Sequence, residues 1–325
     1  MRWLTLTSAV LLISSLASLA PATAAPQDQL KRSGVVFKVN NLQEMGASRQ
    51  VHGYRIDPPC KASTAVLLQH GLSYTGEAWD FPGYSYARKI AAAGYTVVAI
   101  DRLGYGRSRL LNGYKIGSEA YAHMTRQIVR QLRKEGFKHV VLGGHSAGAE
   151  VSELAAGLFG GVDALMVMGY HHRPGTAFLK GFIGRDTVGA FTNDYVYFLG
   201  TPRHRAEMFY TANADPAVVA ADTKAAVPTP SGEILTIGNQ PSRLVMSKVK
   251  VPVFLQLAEQ DRLFPVRFAK TEKALFLSAP SVTLDTVPAA GHTYMMHRSG
   301  PAAADRTTAW LRSLKSTPAC NASHG

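Results

Sequence analysis

Short runs of consecutive apolar and β-branched residues recur along the chain, separated by longer stretches with helical spacing. Val35–Val39 and Gln50–Ile56 predict an antiparallel opening pair. Thr64–Leu68, Thr96–Ile100, His139–Leu142, Ala164–Met168, Val251–Leu257 and Ser281–Val287 predict six buried strands. Between them, Tyr84–Ala93, Glu119–Glu135 and Ala147–Phe159 read as helices, and Ala302–Leu314 as a closing one. In the second of these, Ile128, Val129 and Leu132 share one face. Gly94 and Gly136 stop the first two helices. The alternation predicts an α/β fold with a doubly wound, mostly parallel, eight-stranded sheet. The rhythm fails between His171 and Lys250, a stretch rich in Gly, Pro, Tyr and Phe. It is too long for a simple loop. The expectation is a cap or lid, 171–250, inserted into a core formed by 25–170 and 251–325.

The N-terminus has its own pattern. Arg2 precedes an apolar run from Leu4 to Leu19, and Pro21-Ala22-Thr23-Ala24-Ala25-Pro26 follows. A small-x-small site after a short apolar segment predicts a signal peptide over 1–24, with cleavage after Ala25 as the alternative. The chain is thus expected to be secreted, extracellular or periplasmic. No second apolar stretch is long enough to span a bilayer, so no stable membrane insertion is expected. In an exported chain, Cys60 and Cys320 are expected to pair. The other reading is two free thiols. Asn321-Ala322-Ser323 fits a glycosylation sequon.

Composition changes the picture little. Apolar residues make up 46% of the 325, ample for a core. The net charge is +13, but the basic residues are scattered, the densest clusters being short stretches such as Arg126–Lys138. No arginine-rich arm, zinc-finger spacing or aromatic nucleic-acid motif accompanies them, so a nucleic-acid partner is not expected. Nothing specifies an oligomeric state.

The chemistry concentrates in Gly144-His145-Ser146-Ala147-Gly148, a G-x-S-x-G between a predicted strand and a predicted helix. A nucleophile on so sharp a turn needs close packing, and Gly144 and Gly148 remove the clashing Cβ atoms. The helix N-terminus then faces developing negative charge. A bland reading is a glycine-rich turn with a capping serine. A serine needs a base, and His292 after the last strand is the candidate. The base needs an acid. Asp261 after strand Val251–Leu257 is favoured, with Glu259 as competitor. Leu68-Gln69-His70-Gly71-Leu72 would complete an oxyanion hole from the amides of Leu72 and Ala147. His70 reads as a structural hydrogen-bonder beneath that loop. His171-His172 reads as loop structure, since adjacent histidines diverge and no third metal ligand is evident. Tyr74, Trp79, Tyr170, Tyr195, Tyr197, Phe198, Phe209 and Tyr210 are candidates for pocket lining or for packing. Met295-Met296-His297 reads as core or pocket wall.

The sequence resembles the α/β-hydrolase superfamily. The resemblance rests on His70-Gly71, Asp101-Arg102-Leu103-Gly104-Tyr105-Gly106-Arg107-Ser108, Gly144–Gly148, Asp261 and Gly291-His292. The second piece is similar to the family's D-x-x-G-x-G-x-S turn. The resemblance implies a Ser146–His292–Asp261 triad, no metal, no organic cofactor, and a cap that shapes the pocket. It implies hydrolysis of a small-molecule carboxylic ester, lactone or thioester. The elbow serine separates the chain from haloalkane dehalogenases and epoxide hydrolases, which use Asp there. The missing H-G-G-G loop separates it from hormone-sensitive-lipase-like esterases. The alternatives are a lyase or perhydrolase reaction on the same triad, and a non-catalytic ligand-binding homologue.

Overall fold

The computed structural model describes residues 29–320. The expected signal segment and the Asn321 sequon lie outside them. The opening pair is β1 (Lys31–Asn41) and β2 (Ala47–Asp57), antiparallel along their full length. The core strands are β3 (Thr64–Gln69), β4 (Thr96–Ile100), β5 (His139–His145), β6 (Ala164–Met168), β9 (Val253–Ala258) and β10 (Val282–Val287). They form one eight-stranded sheet in the order β1-β2-β4-β3-β5-β6-β9-β10. β1·β2 and β2·β4 are antiparallel, and the other pairs are parallel. Every residue of β3, β4, β6 and β9 is buried, as strands covered on both faces require.

Helices α1 (Tyr86–Ala92), α2 (Ser118–Lys134), α3 (Ala147–Phe159) and α10 (Gly300–Ser313) join or close the sheet, and short α9 (Ala269–Lys273) links β9 to β10. α1 starts two residues later than predicted because the Ser85 hydroxyl caps it, accepting from the Arg88 amide. β5 runs three residues further than the apolar pattern suggests. Gly143, Gly144 and His145 pair with Met166, Val167 and Met168 of β6, so the turn falls at Ser146 alone. Cys60 and Cys320 form a disulfide with Cα atoms 6.0 Å apart. The tail is also held by Cys320 N donating to Gly94 O and by Thr64 Oγ1 donating to Pro318 O.

The segment between β6 and β9 is helical. It carries α4 (Thr176–Gly181), α5 (Thr187–Thr192), α6 (Pro202–Phe209), α7 (Pro216–Ala225) and α8 (Ser231–Ile237). A two-stranded ribbon, β7 (Tyr195–Val196) with β8 (Thr229–Pro230), ties it together. None of these helices exceeds ten residues, too few turns for a clear apolar period. No helix among the described residues is long and apolar enough to cross a membrane.

Candidate active site

β5 ends against α3 in a turn one residue wide. Ser146 sits there with φ 54° and ψ −124°, a strained conformation for a residue with a Cβ. The fit depends on missing atoms. A Cβ on Gly144 would lie 2.1 Å from Gly148 O, and one on Gly148 would lie 2.4 Å from Gln69 O. The Ser146 amide donates to Met168 O at 2.8 Å, locking the elbow onto β6.

The loop after β3 packs directly on this elbow. A Cβ on Gly71 would meet Ser146 Cβ at 2.9 Å, so only glycine lets the loop approach. Neither the Leu72 nor the Ala147 amide donates to any protein acceptor among the described residues. Both residues line the same cavity as Ser146. His70 props the loop from below: Nδ1 donates to Gly71 O at 2.8 Å, and Nε2 accepts from Arg102 N at 3.0 Å. Burial pushes its pKa well below the ordinary histidine range, with the nearby Arg102 charge adding to the effect. It is therefore neutral, and both ring nitrogens are committed. The Asp101 carboxylate accepts from the Gly76 and Arg107 amides, so the D-x-x-G-x-G-x-S segment is a structural turn.

Asp261 and His292 meet beyond β9 and β10. His292 Nδ1 lies 2.8 Å from Asp261 Oδ2, and both side chains are buried. Asp261 Oδ1 accepts from the Leu263 and Phe264 amides at 2.7 and 3.0 Å, fixing the carboxylate. The competitor Glu259 points elsewhere and accepts from the Ala289 amide at 2.7 Å. The Ser146 hydroxyl makes no hydrogen bond to the His292 ring in this side-chain arrangement. The two sites are joined instead through His145. Its ring centroid lies 4.7 Å from that of His292. Its Nε2 donates to His292 O at 2.9 Å. Burial drives its pKa well below the ordinary range and keeps it neutral.

Ser146, Leu72 and Ala147 open on a cavity of about 150 Å³ walled by Tyr170, Phe178, Leu179, Phe182, Phe198 and Phe264. Among the described residues, no charged side chain lines it. Of the eight aromatic candidates, Tyr170 and Phe198 face this cavity. Trp79 packs on Tyr86, and Tyr195 hydroxyl binds Leu110. Met295, Met296 and His297 are buried. His297 Nε2 accepts from the Gly291 and Thr211 amides, so it braces the loop that carries His292.

His172 departs from the expectation of loop structure without companions. It is buried, with Nδ1 2.8 Å from Glu272 Oε1 and Nε2 2.8 Å from Ser242 Oγ. With Glu153 it forms the one group of three metal-capable side chains among the described residues, their donor atoms within 4.8 Å of one another. Both ring nitrogens have hydrogen-bond partners, and the side chains form a buried polar network. Glu272 and Glu153 are 100 and 19 residues from His172, and neither spacing signals the contact.

The chain's residues 65–306 match the model of the alpha/beta hydrolase family. Epoxide hydrolase B of Mycobacterium tuberculosis is 34% identical over 109 residues, which is 32% of this chain and 27% of that protein. The chain thus matches little more than a quarter of that relative's length. An esterase of Thermogutta terrifontis superposes with TM-score 0.69 at 17% identity, covering 86% of this chain and 98% of the other. A monoacylglycerol lipase of Paleococcus ferrophilus gives 0.63 at 16%, covering 87% and 98%. At such identities the two structures speak to the fold. The family model spans the elbow, the loop after β3 and the Asp261–His292 pair, and the chain belongs to the alpha/beta hydrolase family.

Proposed function

We propose that the protein is a secreted serine hydrolase that cleaves carboxylic esters through an acyl-enzyme on Ser146. The observation that carries this is the strained Ser146 backbone between two unengaged amides, beside the buried His292–Asp261 pair. With Nδ1–H given to Asp261, His292 presents Nε2 as base. In this reading the Ser146 hydroxyl reaches that nitrogen in the substrate complex, since catalytic hydrogen bonds commonly tighten only with substrate bound. Oγ attacks the ester carbonyl as His292 takes its proton. The Leu72 and Ala147 amides receive the oxyanion. The intermediate collapses, and His292 protonates the leaving alkoxide. Water then enters with His292 as base and releases the acid.

The segment 171–250 acts as the cap in this reading and supplies most of the cavity's aromatic wall. The aromatic and aliphatic lining among the described residues favours an apolar acyl group, and about 150 Å³ favours a compact one. The partial likeness to an epoxide hydrolase does not carry the reaction over, because the elbow residue is an alcohol suited to carbonyl carbon. The Cys60–Cys320 bond supports an oxidising compartment.

A panel of p-nitrophenyl esters, lactones, thioesters and an epoxide tests the assignment. Ester turnover is expected, strongest for short or aromatic acyl groups, with Ser146 labelled by a fluorophosphonate. Ser146→Ala should lower kcat at least about 10³-fold while far-UV circular dichroism is unchanged. Wild-type-like turnover by that variant would sink the nucleophile. Sequencing the N-terminus of protein from the culture supernatant or periplasm tests export and cleavage.

A further inference from the structure

Ser73 follows Leu72 directly, and its φ is +59°. A left-handed residue with a Cβ persists only where its surroundings hold it. The Ser73 amide donates to Thr229 Oγ1 at 3.1 Å, and its carbonyl accepts from the Val227 amide at 3.1 Å. Its hydroxyl accepts from Arg205 Nη1 at 2.6 Å. All three partners lie between β6 and β9, so that segment grips the Ser73 side of the loop carrying the Leu72 amide, while His70 and the Ser146 elbow hold its Gly71 side.

Arg205, on α6, is 3% exposed. Its other edge donates through Nη2 to Asp222 of α7, at 3.1 and 3.4 Å. The guanidinium lies 4.5 Å from the ring centres of both Tyr74 and Phe209. From there the contacts run to the base. The Tyr74 hydroxyl lies 3.2 Å from Asp222 and 3.0 Å from Thr293 Oγ1, and Thr293 follows His292. Phe209 O accepts from the Thr293 amide at 3.3 Å, and the Phe209 ring centre is 5.2 Å from that of His292. A single planar fork therefore touches the oxyanion loop on one side and the wall of the base loop on the other.

We propose that Arg205 is a positioning residue that holds the Leu72 amide in register with Ser146 and His292. It does so by gripping Ser73 on one edge and the Asp222–Tyr74–Thr293 chain on the other. The proposal rests on the serine-hydrolase reading above. It adds that the cap completes the catalytic geometry as well as covering the pocket. A guanidinium suits this task because its fork binds two partners at fixed angles, whereas an ammonium supplies a point charge.

The test uses the full chain and one p-nitrophenyl ester. Arg205→Met should lower kcat about 10- to 100-fold with KM within about twofold, since oxyanion donors act on the transition state and a loop misplaced by 1 Å is costly. Arg205→Lys should recover part of that loss. Ser73→Ala leaves the charge and the backbone bonds, and should cost about 3- to 10-fold in kcat. The double variant should be no worse than Arg205→Met, since both changes break one contact. A folded Arg205→Met variant with kcat within twofold of wild type overturns the proposal, and so does a loss confined to KM. If Arg205→Met does not fold, Ser73→Ala decides by the same criteria. Wild-type protein that neither turns over esters nor takes the fluorophosphonate sinks the hydrolase reading, and this proposal with it. Active wild type with unimpaired variants sinks the positioning role alone.

Discussion

The sheet and the helical segment between β6 and β9 share one apolar core, but the segment also carries buried charge. β3, β4, β6 and β9 exclude water along their whole length, and their stabilisation is mainly the non-directional burial of apolar area. The helical segment joins the same apolar core through residues such as Leu199, Phe209 and Ile234, and adds buried ion pairs to it. Arg102, after β4, pairs with Glu233 of α8 at 2.5 Å, with side chains 1% and 0% exposed. Tyr105 hydroxyl donates to the other Glu233 oxygen. Arg205 and Asp222 form a second such pair beside the loop that follows β3. Apolar burial tolerates volume-conserving exchange. A buried ion pair fixes one seating and penalises loss of a single partner.

The sharpest way to break this contrast is to remove one charge from the seat. Arg102→Met should cost about 3–5 kcal/mol in urea unfolding, because it strands the Glu233 carboxylate. The double variant Arg102→Met/Glu233→Leu should recover most of that. If single and double variants lose equally, the pair is not what makes the seat demanding. A core exchange such as Leu67→Met is the matched comparison and should cost less than about 1.5 kcal/mol.

Next in size is the covalent tie of the sheet domain. Cys60→Ser/Cys320→Ser opens a loop spanning 260 residues of sequence separation. By chain entropy it should lose about 2–5 kcal/mol. Reducing agent should lower the wild-type melting temperature to that of the variant and leave the variant unchanged. Ester turnover per folded molecule should hardly move, since the bond lies at the N-terminal ends of β3 and β4, away from the Ser146 elbow.

The same contrast governs what could be read from the sequence. The elbow was legible because its signal is local: five residues, a strand before and a helix after. The meeting of Asp261 and His292 was legible because each follows a strand with a strong apolar run, and strand ends share one edge of a parallel sheet. His145, His297, Arg205 and the Glu153–His172–Glu272 network were not. Apart from the local bonds of His297 to Gly291 and Thr293, their partners lie between 17 and 147 residues away, and side-chain pairs at such distances leave no periodic trace. The helices between β6 and β9 hid for a related reason. None exceeds ten residues, too few turns for a clear apolar period.

Glu150 of α3 tests whether the sheet side is as indifferent to charge as its strands suggest. It is fully buried, accepts from the Ser242 amide, and has one oxygen without a partner. Burial pushes its pKa up to about 8, and burial beside Glu272 and Glu150 raises Glu153 as well. A raised carboxyl pKa means the folded state holds the proton more tightly than the unfolded one. The resulting stability is complete below the ordinary pKa of 4.5 and is lost as pH rises through about 8. Unfolding free energy should therefore fall by about 2 kcal/mol between pH 6 and pH 8. Glu150→Gln should flatten that slope, and parallel curves for the two proteins would rule Glu150 out as its source.

The smallest effect sharpens the comparison most, because it lies on the same helix as the proposed positioning residue. Arg203 and Arg205 are both on α6, two residues apart and so on different faces. Arg203 pairs with Glu207 at 2.8 Å, one turn on, but its side chain is 89% exposed. Water and salt screen such a pair, and ordering two long side chains offsets most of its attraction. Arg203→Ala should leave the melting temperature, kcat and KM at wild-type values, at low salt and high salt alike. Arg205→Met, with the same formal charge removed from the same helix, should lower kcat. Equal losses from both would mean that α6 responds to charge in general, through helix stability or the field over the pocket. Divergent losses would locate the effect in where the guanidinium sits, buried between Tyr74 and Phe209 with Ser73 at one edge.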